Sequence, residues 1–329
     1  MIKRTLYFGN PAYLSFKDEQ LIIERRIIDS EYLDFRLRGN DMEQKDYLNS
    51  KEDKYLKRKT QNESIPIEDI GILILDHYGV STSQFLISKL LENNVAVIFC
   101  NDKHHPTGLL LNLDGNSIQS EKFKAQIKAS IPLRKNLWQQ TVSYKISNQA
   151  SLLKTKGVSI SNMESWAGKV NSGDTKNYEA RASVYYWRNL FPEEMEFYRD
   201  RFGEPPNNLL NYGYAILRAI VARGLVASGL LPTLGIHHKN KYNAYCLADD
   251  IMEPYRPYVD RIVCELIESE KDYNVLTKEI KKELLQLPAK EIIINGERSP
   301  LLVGLQKTTS SLSKCYEGKI KKIIYPEFA

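Results

Sequence analysis

The residues best suited to chemistry lie between Leu234 and Pro257. Asp249, Asp250 and Glu253 are three acidic residues within five positions. A helix there sets Asp249 and Glu253 four apart and Asp250 and Glu253 three apart, on one side of one turn. Carboxylates held so close repel one another unless a cation sits among them. Arg256, three residues past Glu253, is one such cation, and a divalent metal ion is a better one. His238 lies in the preceding loop, Leu234-Gly235-Ile236-His237-His238, and can fold back over the first turn. Imidazole nitrogen with carboxylate oxygen suits Mn²⁺ and admits Mg²⁺, while the absence of nearby thiolates disfavours structural zinc. The same residues also read as a solvated helix face closed by a salt bridge, with an ordinary loop histidine before it. Spacing alone leaves both readings open.

A second candidate segment is Asn177-Tyr178-Glu179-Ala180-Arg181-Ala182, which opens a helix with Asp174 or Asn177 as cap. Glu179 sits in its first turn, where the helix dipole by itself favours a carboxylate. Basic residues gather at Lys122, Lys124, Lys128, Arg134, Lys135 and Lys145, and Lys239 and Lys241 flank His238. With Arg256 they form a candidate set of phosphate contacts, which position DNA without reading its sequence. Ordinary solubilising side chains explain them equally well. Tyr185, Tyr186 and Trp187 could stack on bases, but a buried aromatic cluster is the simpler reading.

The elements that must position these residues fall into two kinds. Thr5–Phe8 and Tyr13–Phe16 flank the turn Gly9-Asn10-Pro11, and Gln20–Ile28, Ile72–Leu75, Val95–Cys100 and Gly108–Leu113 read as further strands. Ser81–Glu92 has helical spacing. The run from Asp41 to Lys59 is dense in charge and reads as a solvated helix or an insertion. From Ser120 onward the pattern is helical: 122–147 with a break near Pro132, 150–156, 179–191, 208–229, 245–271 interrupted by Pro254 and Pro257, and 272–287. Leu247, Ile251, Tyr258, Ile262 and Leu266 form the buried stripe of the acidic helix. The expected fold is α+β, with a small β-rich N-terminal domain (1–114) followed by a larger all-helical catalytic domain (115–329).

Composition sets outer bounds. Of 329 residues, 42% are hydrophobic and 26% charged, the balance of a globular protein. A net charge of +5 tolerates a polyanionic partner without requiring one. Cys100, Cys246, Cys264 and Cys315 lie far apart, which argues against a disulfide scaffold. The N-terminus reads as a strand rather than a signal peptide, and no apolar run approaches bilayer length, so a cytoplasmic protein with no membrane role is expected. No Gly-rich phosphate loop supports a small-molecule phosphohydrolase.

Several segments together resemble the family called CRISPR-associated endonuclease one, the spacer-acquisition integrase. The resemblance is carried by Arg4-Thr5-Leu6-Tyr7-Phe8, by Asp69-Ile70-Gly71 and Leu75-Asp76, and by Asn177-x-Glu179-Ala180-x-Ala182. It continues through Asn208-Leu209-Leu210-Asn211-Tyr212-Gly213-Tyr214, Leu234-Gly235-Ile236-His237-His238 and Asp250-Ile251-Met252-Glu253-Pro254-Tyr255-Arg256-Pro257-x-Val259-Asp260. It implies one metal site formed by Glu179, His238 and Glu253, holding Mn²⁺ or Mg²⁺, with Asp249 and Asp250 as ligands or supporting carboxylates. His238 is preferred to His237 because it stands fifteen residues before Glu253, as in the branch with a single large RNA-guided effector. The resemblance further implies double-stranded DNA as substrate and spacer insertion by 3′-hydroxyl attack in antiviral defence. It also implies a homodimer, bridged into a heterohexamer by the small ferredoxin-like CRISPR-associated protein two, with the effector nuclease a possible partner. A stand-alone nuclease or mobile-element integrase of the same fold, and an inactive DNA-binding scaffold, are the competing readings.

Overall fold

Short runs rich in branched apolar residues, such as Ile72–Leu75 and Val95–Cys100, recur in the first hundred positions, and the chain answers with two four-stranded sheets. The computed structural model describes residues 3–26, 60–269 and 272–328; the charged run from Asp41 to Lys59 and the end of the strand expected at 20–28 lie outside them. One sheet has the order β1 (Arg4–Phe8), β5 (Ile70–Leu75), β7 (Ala96–Cys100), β8 (Pro106–Leu110). Its first three strands are parallel and β8 is antiparallel. The second sheet runs β4 (Thr60–Pro66), β3 (Gln20–Arg26), β2 (Ala12–Lys17), β6 (Val80–Thr82). All of β5, Ile-Gly-Ile-Leu-Ile-Leu, is buried, as a strand covered on both faces must be. Ile72 and Ile74 face the core shared with the helices, and Ile70, Leu73 and Leu75 face the core between the sheets. Helix α1 (Gln84–Glu92) starts where Ser83 accepts a hydrogen bond from the Leu86 amide.

Helices α2 (Gln119–Ile127) and α3 (Ile131–Thr155) follow. The break expected near Pro132 falls just before it, because proline in a first turn has no amide to lose. Ser130 caps α3, which then runs unbroken for 25 residues and absorbs the separate segment expected at 150–156. Next come α4 (Ser161–Lys169), α5 (Tyr178–Leu190) and α6 (Asn207–Ala227). Contrary to the expectation that no apolar run nears bilayer length, α6 is long and apolar enough to cross a membrane, but 78% of that stretch is buried inside the protein. It is a core helix. Gly213 lets α8 (Arg256–Glu268) approach it, since a Cβ there would stand 2.4 Å from Val259 Cγ1.

Helix α7 (Cys246–Met252) and α8 are joined by a 3₁₀ turn over Glu253–Tyr255, where Pro254 removes a backbone donor. Only Lys278–Leu284 of the helix expected at 272–287 forms, as α9. The later half is not all-helical either. Strands β9 (Glu291–Ile294), β10 (Glu297–Pro300) and β11 (Pro326–Glu327) make a three-stranded sheet around α10 (Leu301–Tyr316). The β9–β10 turn is Asn295-Gly296, both with positive φ (56° and 77°), the geometry that suits a two-residue hairpin. The fold is mixed α+β.

Candidate functional site

Four helices and one loop meet around a buried ammonium group. Lys145, in the middle of α3, is buried, and its Nζ donates to Glu179 Oε1 at 2.8 Å. The same Nζ stands 2.6 Å from Glu253 Oε2. That second contact is an ion pair without hydrogen-bond alignment, so Glu253 Oε2 is buried with no hydrogen-bond donor. Glu253 Oε1 accepts from Arg256 Nε at 2.8 Å. Burial alone would raise the Glu253 pKa, but Arg256 and Lys145 outweigh it and hold the carboxyl at about 2. Burial likewise disfavours the charge on Lys145, yet Glu253 and Glu179 more than offset it and the ammonium is held above its usual range.

Glu179 reaches this point because Asp174, not Asn177, caps α5. Its carboxylate accepts from the amides of Tyr178 (3.0 Å) and Glu179 (2.9 Å). Asn177 sits at φ 55° and makes no side-chain cap.

The acidic residues expected to crowd one turn instead diverge. Asp250, fully buried, turns to the His238 loop: Oδ2 accepts from the amides of Ile236 (2.6 Å) and His237 (3.0 Å), and Oδ1 contacts His238 Nδ1 at 2.6 Å. Gly235 is required for this close fold, since a Cβ would lie 2.3 Å from the His238 carbonyl oxygen. Asp249 pairs with Arg218 Nε at 2.6 Å and accepts from Asn243 at 2.7 Å. Each carboxylate finds its own cation or donor: Arg218 for Asp249, the His238 loop for Asp250, and Lys145 with Arg256 for Glu253. The hydrogen bond that Asp250 accepts from the ring raises the His238 pKa above its usual value, with Glu253 and Glu179 adding to the effect. His237 is set apart by stacking on Trp138 at 4.2 Å, nearly parallel.

Beside Lys145 and Glu253 lies a cavity of about 220 Å³. Arg256 and Arg199 both sit on the Tyr214 ring at its wall, 4.4 and 5.4 Å from the centroid. Asp260 accepts from the hydroxyls of Tyr214 and Tyr186, the latter at 2.7 Å. Burial pushes the Asp260 carboxyl up to about 6 despite those bonds. Of the aromatic run, Tyr186 is wholly buried, as its simpler reading required. Among the candidate DNA contacts, Lys128, Lys239 and Lys241 are exposed, Arg134 is half-buried and Arg256 is engaged with Glu253. Lys122 is tied to Ser313 (2.8 Å) and Glu317 (2.7 Å).

Among the described residues, no three His, Cys, Asp or Glu side chains converge as a ready metal cage. Lys145 stands between two of them. The donors nonetheless fit a hard divalent cation: Glu179 and Glu253 already share one positive charge, and Glu253 Oε2 has no hydrogen-bond donor. With Nδ1 of His238 on Asp250, Nε2 is the nitrogen left for a metal, an arrangement common around metal-bound histidines. In sequence Lys145 read as one more basic residue of the 122–145 stretch, a phosphate contact or a solubilising lysine, because its partners come from 34 and 108 positions away. Arg199, Gln149 and Arg218 were not singled out in sequence, and Asp260 entered only as the last residue of the acidic motif.

Residues 42–287 match the family model described as CRISPR associated protein Cas1. The chain is 34% identical over 275 residues to the CRISPR-associated endonuclease Cas1 of Neisseria meningitidis, covering 83% of this chain and 90% of that one. In fold it is similar to a casposase bound to integration product, with TM-score 0.72 and 19% identity over 99% of this chain and 94% of that one. It is also similar in fold to a chain of a Cas6-RT-Cas1–Cas2 complex, with TM-score 0.68 and 18% identity over 100% of this chain and 36% of that one.

Proposed function

Since this chain belongs to the CRISPR-associated Cas1 family and is a DNA endonuclease-integrase, we propose that it inserts spacer DNA into a repeat array at a metal site made by Glu179, His238 and Glu253. The observation that carries this reading is the sharing of one buried cation by Glu179 of α5 and Glu253 of the 3₁₀ turn, beside a histidine with one ring nitrogen left over. Bound Mn²⁺ or Mg²⁺ would act as a Lewis acid on the scissile phosphate and reverse the field of the carboxylates. The remaining work belongs to the chain. Asp250 fixes the ring of His238 and keeps the proton on Nδ1, so that Nε2 is a lone-pair donor. Asp249, held by Arg218 and Asn243, is a supporting residue rather than a ligand. Arg256 keeps Glu253 ionised.

The reaction is transesterification. A 3′-hydroxyl of the spacer attacks a phosphorus of the repeat strand, a new P–O bond forms, the bond to the former 3′ oxygen breaks, and the proton of the attacking hydroxyl passes by way of solvent to that released oxygen. With water as nucleophile the same displacement is hydrolysis. Lys128, Arg134, Lys239 and Lys241 are the proposed phosphate contacts, positioning the duplex without reading it.

The assembly we propose is a homodimer, with residues 1–114 making dimer and partner contacts and 115–329 carrying the site. Two dimers bridged by Cas2 would form a heterohexamer. The solved Cas1–Cas2 complex of similar fold supports Cas2 as partner, and the casposase complex supports DNA. The branch with a single large effector nuclease, itself a candidate partner, and the cytoplasm as the site of action belong to the same proposal.

The test is joining of a short duplex with free 3′-hydroxyls to a supercoiled plasmid carrying the host repeat array, with Cas2 and Mn²⁺. Metal-dependent joining that disappears in His238→Ala is expected. Joining that survives the substitution rejects the site, and metal-dependent cutting without joining points to a stand-alone nuclease. Joining into plasmids regardless of the array points to a mobile-element integrase. DNA binding with neither activity leaves a scaffold.

A further inference from the structure

Lys145 is an odd neighbour for a metal site. Its ammonium occupies the space between Glu179 and Glu253 that a divalent cation would need, at 2.8 and 2.6 Å from their oxygens. Like charges cannot share so small a volume without a large penalty. The lysine must therefore move before a cation can be held by both carboxylates, and the fold provides a place for it to go. Gln149 lies one turn further along α3, on the same face. It is only 3% exposed, and its Oε1 is buried with no hydrogen-bond partner. Both side chains line the cavity of about 220 Å³, together with Ser183, Glu253 and Asp260. A buried amide oxygen without a donor is uncommon, because it has given up its hydrogen bonds to water and gained none in return. Here it faces the same cavity as an ammonium group rich in donors.

We propose that Lys145 is an internal counter-ion that holds the carboxylate pair when no metal is bound and swings to Gln149 Oε1 when a divalent cation enters. The inference rests on the metal site of Glu179, His238 and Glu253. In the metal-free chain, Lys145 relieves repulsion between Glu179 and Glu253. On metal entry, Gln149 receives the ammonium, so that its charge stays beside the site without competing for it. Glu253 retains Arg256 on Oε1 throughout and turns only Oε2 to the incoming ion. Occupancy by the lysine lowers apparent metal affinity by the fraction of chains in which it has swung away.

The experiment is Mn²⁺ titration of the full chain, read by loss of the free-ion paramagnetic signal, for wild type, Lys145→Met, Gln149→Leu, the double variant and His238→Ala. Lys145→Met is expected to bind Mn²⁺ roughly tenfold more tightly, because the competitor is gone. Gln149→Leu is expected to bind more weakly than wild type, and to have no effect once Lys145 is already Met. Mn²⁺ bound through His238 but no more tightly in Lys145→Met would overturn the counter-ion role and leave the site standing. An equal Gln149→Leu effect with and without Lys145 would overturn the swing. Wild type that binds no Mn²⁺, or binds it independently of His238, would overturn the site and this inference with it. If Lys145→Met does not fold, Lys145→Gln replaces it in the same cycle, with the same expected signs.

Discussion

Among the described residues two buried lysines pair with carboxylates, and they end in opposite situations. Lys281 on α9 meets Asp76 at the end of β5 at 2.8 Å, with the Asp76 side chain fully buried. Asp76 Oδ2 also accepts from Tyr7, and Oδ1 contacts His104 at 3.0 Å, so both oxygens are satisfied. Burial alone would raise the Asp76 pKa, but Lys281, Tyr7 and His104 bring it below its usual value. This is a closed fastener between the strand sheet and the helices. Around Lys145 the pairing chemistry is the same, but Glu253 Oε2 has no hydrogen-bond donor, Gln149 Oε1 has no partner and a cavity adjoins both. A buried charge with every atom satisfied holds the fold together, while one with spare acceptors beside a cavity is built to exchange partners. The contrast separates structure from site where sequence could not.

The largest effect that could break this contrast is on stability. Lys281→Met leaves Asp76 ionised and buried, and should cost about 3–5 kcal/mol in denaturant unfolding while leaving Mn²⁺ affinity unchanged. Lys145→Met should cost less than half as much, because Glu253 keeps Arg256 and Glu179 is partly exposed. Equal losses would mean that the two clusters do the same job.

A second test uses two buried carboxyls seven residues apart with opposite shifts. Asp260 is raised from 3.8 to about 6, so the folded chain holds its proton more tightly than the unfolded one. Its contribution to stability therefore falls as pH rises from about 4 to about 6, by about 2–3 kcal/mol, then levels off. Glu253, depressed from 4.5 to about 2, contributes stability that is full above 4.5 and lost as pH falls towards 2. Asp260→Asn should flatten the upper window and leave the acid limb, while Glu253→Gln should do the reverse. Equilibrium unfolding across pH 2–7 reads both.

Smaller again is the effect of Asp250→Asn, which alters the partner of His238 without removing a proposed ligand. Mn²⁺ affinity should fall about 10–100-fold, measured by titration with the fold monitored by circular dichroism. The smallest effects concern DNA. Lys239→Ala should lower the salt dependence of duplex binding by about one counterion, whereas Lys122→Ala should not, because its ammonium is held by Glu317.

Much of the framework was legible in sequence because it rests on local signals. The branched run of β5, the Ser83 cap of α1 and the proline at the 254 turn each declare themselves within a few residues. The hairpin at Asn295-Gly296 carried a local signal too, an Asn-Gly pair between short strands, which the expectation of an all-helical half passed over. The site was legible only in outline. Asp249, Asp250 and Glu253 are close in sequence, but their partners Arg218, His238 and Lys145 come from three other segments, and those partners decide which way each carboxylate points. The unpartnered Gln149 Oε1 and the Lys145 ion pair at Glu253 Oε2 are properties of packing, and no spacing rule announces them.

The most direct test of the central claim is the stoichiometry of bound Mn²⁺ per chain in wild type, Glu179→Gln, His238→Ala, Glu253→Gln and Lys281→Met. One ion per chain is predicted in wild type and in Lys281→Met, with binding lost in each of the other three. One ion retained at wild-type affinity in His238→Ala or Glu253→Gln would contradict it.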